Sequence, residues 1–410
     1  KPCSGVMIED MGVKMSLNGV DNGRLMFDQV KIPRTQMLNR LTDVDQEGAF
    51  SSQFKKKSQR FFKVTDRLLS GRLCIASMSI ASAKKALYIA VKYSQQRKAV
   101  GKSGLSDTPI MSYQLQQNAI LPLLARTMVQ NFGHNSAKQL FANQQGREHD
   151  VIKTLCAVKA MVTWNAEKVS RICRERVGGG GFLEYNSISQ VIGGSHSGMT
   201  AEGDNSVLMQ KVTKDILQHE REGKFEMPEC PSIELLRDQP SLSSLDSLVA
   251  LIFVREHLEL DNIKTILAKR ILQEGASFFE VWQSEVNDEI QNLALAFGER
   301  FFIESALAAW KKCDDQATKI VLERVMHLHC VSYVREHLGW YLKQEAISPR
   351  AASEIEGVFQ QSVKDLVPYL NVCIHGLGLQ ENEAIFPPIA RDYVAFNGQP
   401  DMENIQAAGA

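Results

Sequence analysis

From about residue 55 onward the chain sets apolar side chains at three- and four-residue spacing through long segments almost free of proline. That period keeps one stripe of a helix apolar, so most of the molecule must be helices packed side by side rather than sheet. The pattern predicts helices at roughly 60–96, 108–144, 149–176 and 205–221, with breaks at AVGKSGLSDTP, at NQQGREH and at a run of glycines. Four helices of such length suit a bundle. A stretch rich in proline and serine, EGKFEMPECPSIELLRDQPSLSSLDS, then interrupts the period, and helical spacing resumes from about 244 to 378. The tail from about 379, QENEAIFPPIARDYVAFNGQPD, is expected to be irregular, with a frayed end.

Ahead of the helices the character differs. Two Asn-Gly pairs in SLNGVDNGRLMFDQVKIPR lie among alternating apolar and polar residues, which predicts tight hairpin turns. Residues 1 to about 45 therefore read as the last strands of a β unit. A hairpin pair seldom stands alone, and the chain opens on Lys1, so the expectation is an N-terminal truncation with partner strands upstream. At 410 residues the chain exceeds one compact core. The expected division is 1–50 (end of a β domain), 51–225 (first helical domain) and 226–410 (second helical domain).

Lysine plus arginine and aspartate plus glutamate balance at 47 each, so no basic field exists for nucleic acid or anionic lipid, and any anion must be caught by a local cluster. Eight cysteines lie scattered without CxxC spacing, as buried free thiols of a reducing compartment do. No uninterrupted apolar stretch of membrane-spanning length is evident, no start resembles a signal peptide, and the terminal IQAAGA is not an SKL-type address. His327, His329 and Cys330 in HLHC are nominal metal ligands, yet positions two apart on a helix face away from each other. Cys373 and His375 fail as a nucleophile and base for the same reason.

Two features carry chemistry. The run Gly178 to Gly181 follows a helix ending in CRERV; one glycine would stop that helix, whereas four suggest close approach of something to the backbone, such as a phosphate or an adenosine unit. A helix rather than a strand precedes the run, which disfavours a Rossmann site. Glu202 in AEGDNSVLMQKV precedes Asp204 and Asn205, either of which can cap the next helix. It reads either as an ordinary acid near a helix start or as a base whose proton affinity is raised by apolar neighbours Met199, Ala201 and Val207. Arg72 and Arg97 lie a near-whole number of turns apart on one predicted helix, and Arg97 falls at its end, where a guanidinium can reach a phosphate.

Together YSQQRKAVGK, CRERVGGGGFLEYN and AEGDNSVLMQKV resemble the C-terminal half of the flavin-dependent acyl-CoA oxidases. The resemblance runs from about residue 4 to about 225 and takes in NGVDNGRLMFDQVKIPR and YQLQQNAILPLLA. It is less sharp beyond 226, where a second helical domain separates the oxidases from the shorter acyl-CoA dehydrogenases. The implied fold is mainly α: a remnant of a β domain, a four-helix-bundle domain of the acyl-CoA dehydrogenase type, and a second helical domain.

The resemblance also implies roles. Glu202 matches the base that removes the α proton of a fatty acyl-CoA while the β hydrogen leaves as hydride to FAD. Arg97 matches the arginine that reaches the FAD of a neighbouring subunit in a homodimer. Gly178 and Gly179 match the glycines near the adenosine end, Gly203, Asp204 and Asn205 flank FAD and thioester, and Arg72 matches a helix arginine near the CoA portion. Dioxygen would be the electron acceptor, the products trans-2-enoyl-CoA and hydrogen peroxide, and the location the peroxisome. Departures from the family are Ala201 and Val100 where relatives carry aromatics and Gly180 where a polar residue is common. Two alternatives stay open: a dehydrogenase serving an electron-transfer flavoprotein, and a non-catalytic helical scaffold.

Overall fold

The computed structural model describes residues 2–65, 68–225, 227–229, 232–233, 237, 242–379 and 386–398. Packing divides the chain into two units, 1–71 and 72–410. In the first, β1 (Val6–Asp10) pairs antiparallel with β2 (Gly23–Phe27), and β3 (Thr42–Val44) with β4 (Phe50–Ser52); α1 (Lys57–Thr65) follows. Asn18-Gly19 does make a tight turn, closed by the Val20 amide on the Leu17 carbonyl at 3.1 Å, but neither Asn-Gly pair joins two strands in the tight hairpin predicted. Residues 11–22 form a long connection in which the Asn18 side chain bonds both backbone groups of Lys14 (2.8 and 3.1 Å), and positive φ falls on Gly12 and Leu17. Gly23 instead opens β2 opposite Asp10. Asparagine has closed a local loop onto its own neighbours, a competing use of the same residue.

Helix α2 (Leu68–Gln96) leads into a short hairpin of β5 (Lys98–Val100) and β6 (Ser106–Pro109), then α3 (Gln114–Ala142), α4 (Glu148–Arg176), α5 (Ile188–Thr200) and α6 (Asn205–Arg221). The helix expected from about 108 starts six residues later, because Pro109 fixes its own φ and turns residue 108 away from helix. Side-chain pairs give the directions. Gln116 meets Ser94 while His134 meets Ser77, so α2 and α3 are antiparallel. Gln116 meets the Arg176 carbonyl while Asn165 meets Thr127, and Lys159 meets Asn205 while Lys153 meets His219. The result is an up-and-down bundle of α2, α3, α4 and α6 with Leu87, Ile120, Leu124, Leu155 and Met209 fully buried inside it. By length and composition α2 could cross a bilayer, but just over half of its apolar window (56%) is buried in the protein, as in a core helix.

Helix α5 was not anticipated from apolar spacing. Its GGSHSG segment has poor helix propensity, and the structure shows why a small residue is there: a Cβ on Gly198 would lie 2.9 Å from Ser79 Oγ and 3.2 Å from Thr163.

Beyond the proline-rich stretch come α7 (Leu245–Leu267), a π turn (Ala268–Gln273), α8 (Phe278–Ser284), α9 (Asn287–Lys312), α10 (Gln316–Glu336), α11 (Leu338–Lys343), α12 (Pro349–Leu366) and α13 (Leu370–Gly376). They share the second unit with the bundle: α9 packs on α3, α4 and α6, and α10 on α3. Glycines permit this closeness. A Cβ on Gly133 would lie 2.2 Å from Phe302, and one on Gly298 2.2 Å from Met161 Sδ. Gly133→Ala is therefore expected to destabilise by about 1–3 kcal/mol through overpacking, read from the midpoint of urea unfolding.

The tail is more regular than expected. Phe386, Pro388, Ile389 and Ala390 are buried around a short 3-10 turn, and α14 (Tyr393–Asn397) follows, its first turn capped by Asp392. The rest of the tail, 380–385 and 399–410, lies outside the described residues, as do Cys230 and much of the proline-rich stretch. Cys156, Cys173, Cys330 and Cys373 are buried free thiols, whereas Cys3 and Cys74 are exposed. In HLHC, His327 bonds Ser362 and the Ser243 carbonyl, and His329 pairs with Glu299 at 2.5 Å.

Two other histidines set an acid limit. Burial, aided by Lys138 and Lys84 around His134 and by Arg255 around His337, pushes each down to about 4. The unfolded chain takes up these protons near pH 6.5, the folded one only near 4. Stability contributed by the neutral imidazoles is thus complete above 6.5 and falls as pH drops from 6.5 to 4, by about 3 kcal/mol per histidine. Unfolding midpoints measured across that window check it.

Candidate active site

The candidate residues fall into two groups at opposite ends of the bundle. One group is built around the turn between α5 and α6. Glu202, half-buried, adopts a left-handed backbone (φ 57°), and Gly203 follows at φ 110°. A left-handed glutamate carries a local conformational cost that the surroundings must meet. Asp204 ends the turn as the N-cap of α6, its Oδ1 accepting from the Ser206 and Val207 amides at 3.0 and 3.2 Å. Asn205, 2% exposed, spends its side chain inward on Lys159, Thr163 and the Ala160 carbonyl. Of the two possible caps, then, Asp204 takes the role.

Arg72 comes to the same place from α2. Its Nε donates to the Glu202 carbonyl at 3.3 Å and its Nη1 to Cys156 Sγ at 3.4 Å. The sequence placed these residues in separate motifs, and the fold joins them. Of the apolar neighbours expected around Glu202, Met199 and Ala201 are half-buried. Val207 is exposed, and the groups around the turn are the cations Arg72 and Lys159.

Lys159 escaped the sequence reading altogether. It sits in mid-α4, wholly buried, and its ammonium donates to the Gly203 carbonyl (2.7 Å), to Asn205 Oδ1 (2.9 Å) and to the Met199 carbonyl (3.2 Å). Burial first, then the Arg72 charge, lowers it to about 8, while Asp204, Cys156 and Glu202 pull the other way. One clue existed in the sequence, a lysine inside the apolar run TLCAVKAMVTW where a charge needs a partner.

The second group lies at the far end. Arg97 and Gly178 are brought there together: Gln116 bonds both Ser94, three residues before Arg97, and the carbonyl of Arg176, two before Gly178. Arg97 is exposed, and its carbonyl accepts from the Ile110 amide at 2.8 Å. At 1.5 Å per residue, Arg97 stands about 37 Å from Arg72 along α2, and Gly178 about 28 Å from Lys159 along α4.

The four glycines form a 3-10 turn, Gly178–Phe182, and have different reasons for being there. Gly178 takes positive φ (68°). A Cβ on Gly180 would lie 2.7 Å from Ile389, and one on Gly181 3.0 Å from the Arg174 carbonyl. Gly179 has neither a special φ nor any neighbour within 4 Å, so internal packing does not account for it. Open space beside a glycine that the fold does not require leaves the backbone accessible to a ligand.

A profile described as "Acyl-CoA oxidase, C-alpha1 domain" matches residues 66–217, and one described as "Acyl-CoA oxidase" matches 244–370. The chain belongs to the acyl-CoA oxidase family. The first match of this family covers both groups of candidate residues, and the second covers α7 to α12. Among curated oxidases, peroxisomal acyl-coenzyme A oxidase 3 of Arabidopsis thaliana is 28% identical over 409 residues, covering 96% of this chain and 60% of that protein. The chain thus spans about 60% of the length of the curated relatives it matches. Among solved structures, acyl-CoA oxidase1 from Yarrowia lipolytica superposes with a TM-score of 0.83 at 21% identity, over 99% of this chain and 64% of that one. Acyl-CoA oxidase-1 of Caenorhabditis elegans, solved with FAD and ATP, gives 0.81 at 19% identity over 97% and 61%. At such identities the likeness is one of fold.

Proposed function

We propose that the protein to which this chain belongs is an acyl-CoA oxidase that converts fatty acyl-CoA and dioxygen to trans-2-enoyl-CoA and hydrogen peroxide in peroxisomal fatty acid β-oxidation. The observation that carries this reading is the turn at Glu202, a left-handed carboxylate residue held by Arg72 and Lys159, in a chain of the oxidase family. A residue kept in a costly backbone conformation by two buried or half-buried cations is positioned for use.

In this reading Glu202 takes the proton from the α carbon of the thioester. Arg72 and Lys159 hold its backbone so that the carboxylate meets the substrate in one orientation, and Asp204 fixes where α6 begins. The reading assigns FAD as cofactor. Gly179, with open space at its Cβ, together with Gly178 suits close approach of the adenosine end, and the exposed Arg97 at the same end suits an anionic phosphate, presented by a partner subunit in a homodimer. Gly203, Asp204 and Asn205 belong to the other end, where flavin and thioester would meet. Bound FAD would supply the acceptor for the β hydride and the route of the electron pair to dioxygen. The peroxisomal location follows the relatives that carry the word in their names.

The test is an aerobic assay of the flavin-loaded protein with saturated fatty acyl-CoA. One peroxide per enoyl-CoA is expected. Enoyl-CoA formed without peroxide, only in the presence of an electron-transfer flavoprotein, would make it a dehydrogenase; neither product would leave a scaffold.

A further inference from the structure

We infer that Lys159 is a positioning residue for Glu202: its buried ammonium is a three-point clamp that keeps the 199–205 turn closed. This rests on the reading of Glu202 as the base. The three N–H groups of an ammonium match three acceptors here, and the acceptors bracket Glu202 in sequence: Met199 three residues before, Gly203 one after and Asn205 three after. The Arg72 bond to the Glu202 carbonyl closes the same turn from α2. A left-handed glutamate would otherwise relax toward the ordinary helical or extended regions, and its carboxylate would move with its backbone.

The location of Lys159 supports a specific task. Mid-helix, within a core of Leu155, Ala160 and Val162, a leucine or methionine would pack at lower cost than a charge. Its bonds do not tie α4 to α6 along their lengths, since they end on the last turn of α5, on Gly203 and on the first residue of α6. Asn205 extends the clamp by donating to Thr163 and to the Ala160 carbonyl, so its side-chain oxygen is presented to Lys159 in a fixed orientation.

The clamp needs the charged form, because a neutral amine has two donors and cannot hold all three acceptors. The charged and titratable groups facing it are Arg72 from α2, Cys156 from α4 and Glu202 and Asp204 from the turn. With Lys159 lowered to about 8, the clamp should loosen on the alkaline side, well before a solvated lysine would titrate.

The experiment uses the flavin-loaded full-length protein and three variants, Lys159→Met, Lys159→Arg and Glu202→Gln. Hydrogen exchange of the 200–206 amides is read first, because it is independent of turnover. In Lys159→Met these amides are expected to lose protection about tenfold relative to those of α4, and kcat to fall about tenfold with KM within about threefold. Lys159→Arg, which stays charged, should recover part of kcat and abolish the alkaline loss of protection seen in the parent between pH 7 and 9.5. Unchanged protection and kcat in Lys159→Met would overturn the clamp. Should that variant fail to fold, a parent turn equally protected from pH 7 to 9.5 would overturn it as well. Parent-like turnover in Glu202→Gln, with protection still lost in Lys159→Met, would sink the base assignment while leaving the clamp.

Discussion

Glu202→Gln is expected to lower the rate of enoyl-CoA formation by about 10³-fold, with FAD content and unfolding midpoint close to those of the parent. The amide keeps the size of the carboxylate and removes its capacity to take a proton. It also leaves the turn intact, because Arg72 and Lys159 grip backbone carbonyls and Asn205, and Asp204 does the capping. Loss of rate without loss of stability is what separates a base from an acid that merely favours a helix start. Glu202→Asp offers a graded control: the carboxylate survives but retreats by one methylene, and a misplacement of that order costs about 10² in rate. Turnover in Glu202→Gln within a few-fold of the parent would refute the assignment.

The second large effect concerns stability. Glu256 on α7 is fully buried and pairs with Arg300 on α9, which is 7% exposed; Arg300 also reaches Glu304 at 2.6 Å. Removing one member of a buried pair strands the other charge, so Glu256→Ala is expected to cost about 3–5 kcal/mol. The exposed end of the same network supplies the comparison. Glu304, with a side chain 36% exposed, should cost about 1 kcal/mol or less when replaced by alanine. Urea unfolding of the two variants should therefore differ by several kcal/mol. Equal effects would mean that water reaches the Glu256 side of the pair.

Much of this organisation was legible in the sequence, in ways that particular elements explain. Helices α4 and α6 were placed within one residue, since both combine a strong apolar period with clear ends, a glycine run for one and an Asp-Asn cap for the other. The α5 helix was invisible because its glycines and serines suit close packing, a tertiary requirement, and weaken the local signal. The Asn-Gly pairs misled about strand pairing for the opposite reason: the Asn18-Gly19 turn formed, but inside a loop closed on Lys14 rather than between paired strands.

Residue types and order singled out Glu202 and the glycines as candidates, but not the residues that the fold sets beside them. Lys159 and Arg72 are 43 and 130 positions away from Glu202, and only the antiparallel course of α2, α4 and α6 brings them to it. Nor does periodicity reveal that Arg97 and Gly178 share one end while Arg72 and Glu202 share the other. A glutamine at 116 that spans Ser94 and Arg176 was an ordinary polar residue until the fold gave it two neighbours.

The contacts of the 386–398 segment have a consequence for biosynthesis. Phe386 stacks on Tyr88 with ring centroids 4.0 Å apart, Ile389 lies on Gly180 and bonds Asn186, and Tyr393 and Phe396 meet Tyr93 and Tyr185. The Gly180 side of the glycine turn is thus covered by residues translated well after α6, whereas the bonds around Glu202 join positions between 72 and 205. At about 5–20 residues per second, the ribosome needs roughly 10–35 s to travel from the end of α6 to residue 398. During that interval the nascent chain can have its Glu202 turn made while Gly180 and the Tyr88 ring still lack their cover.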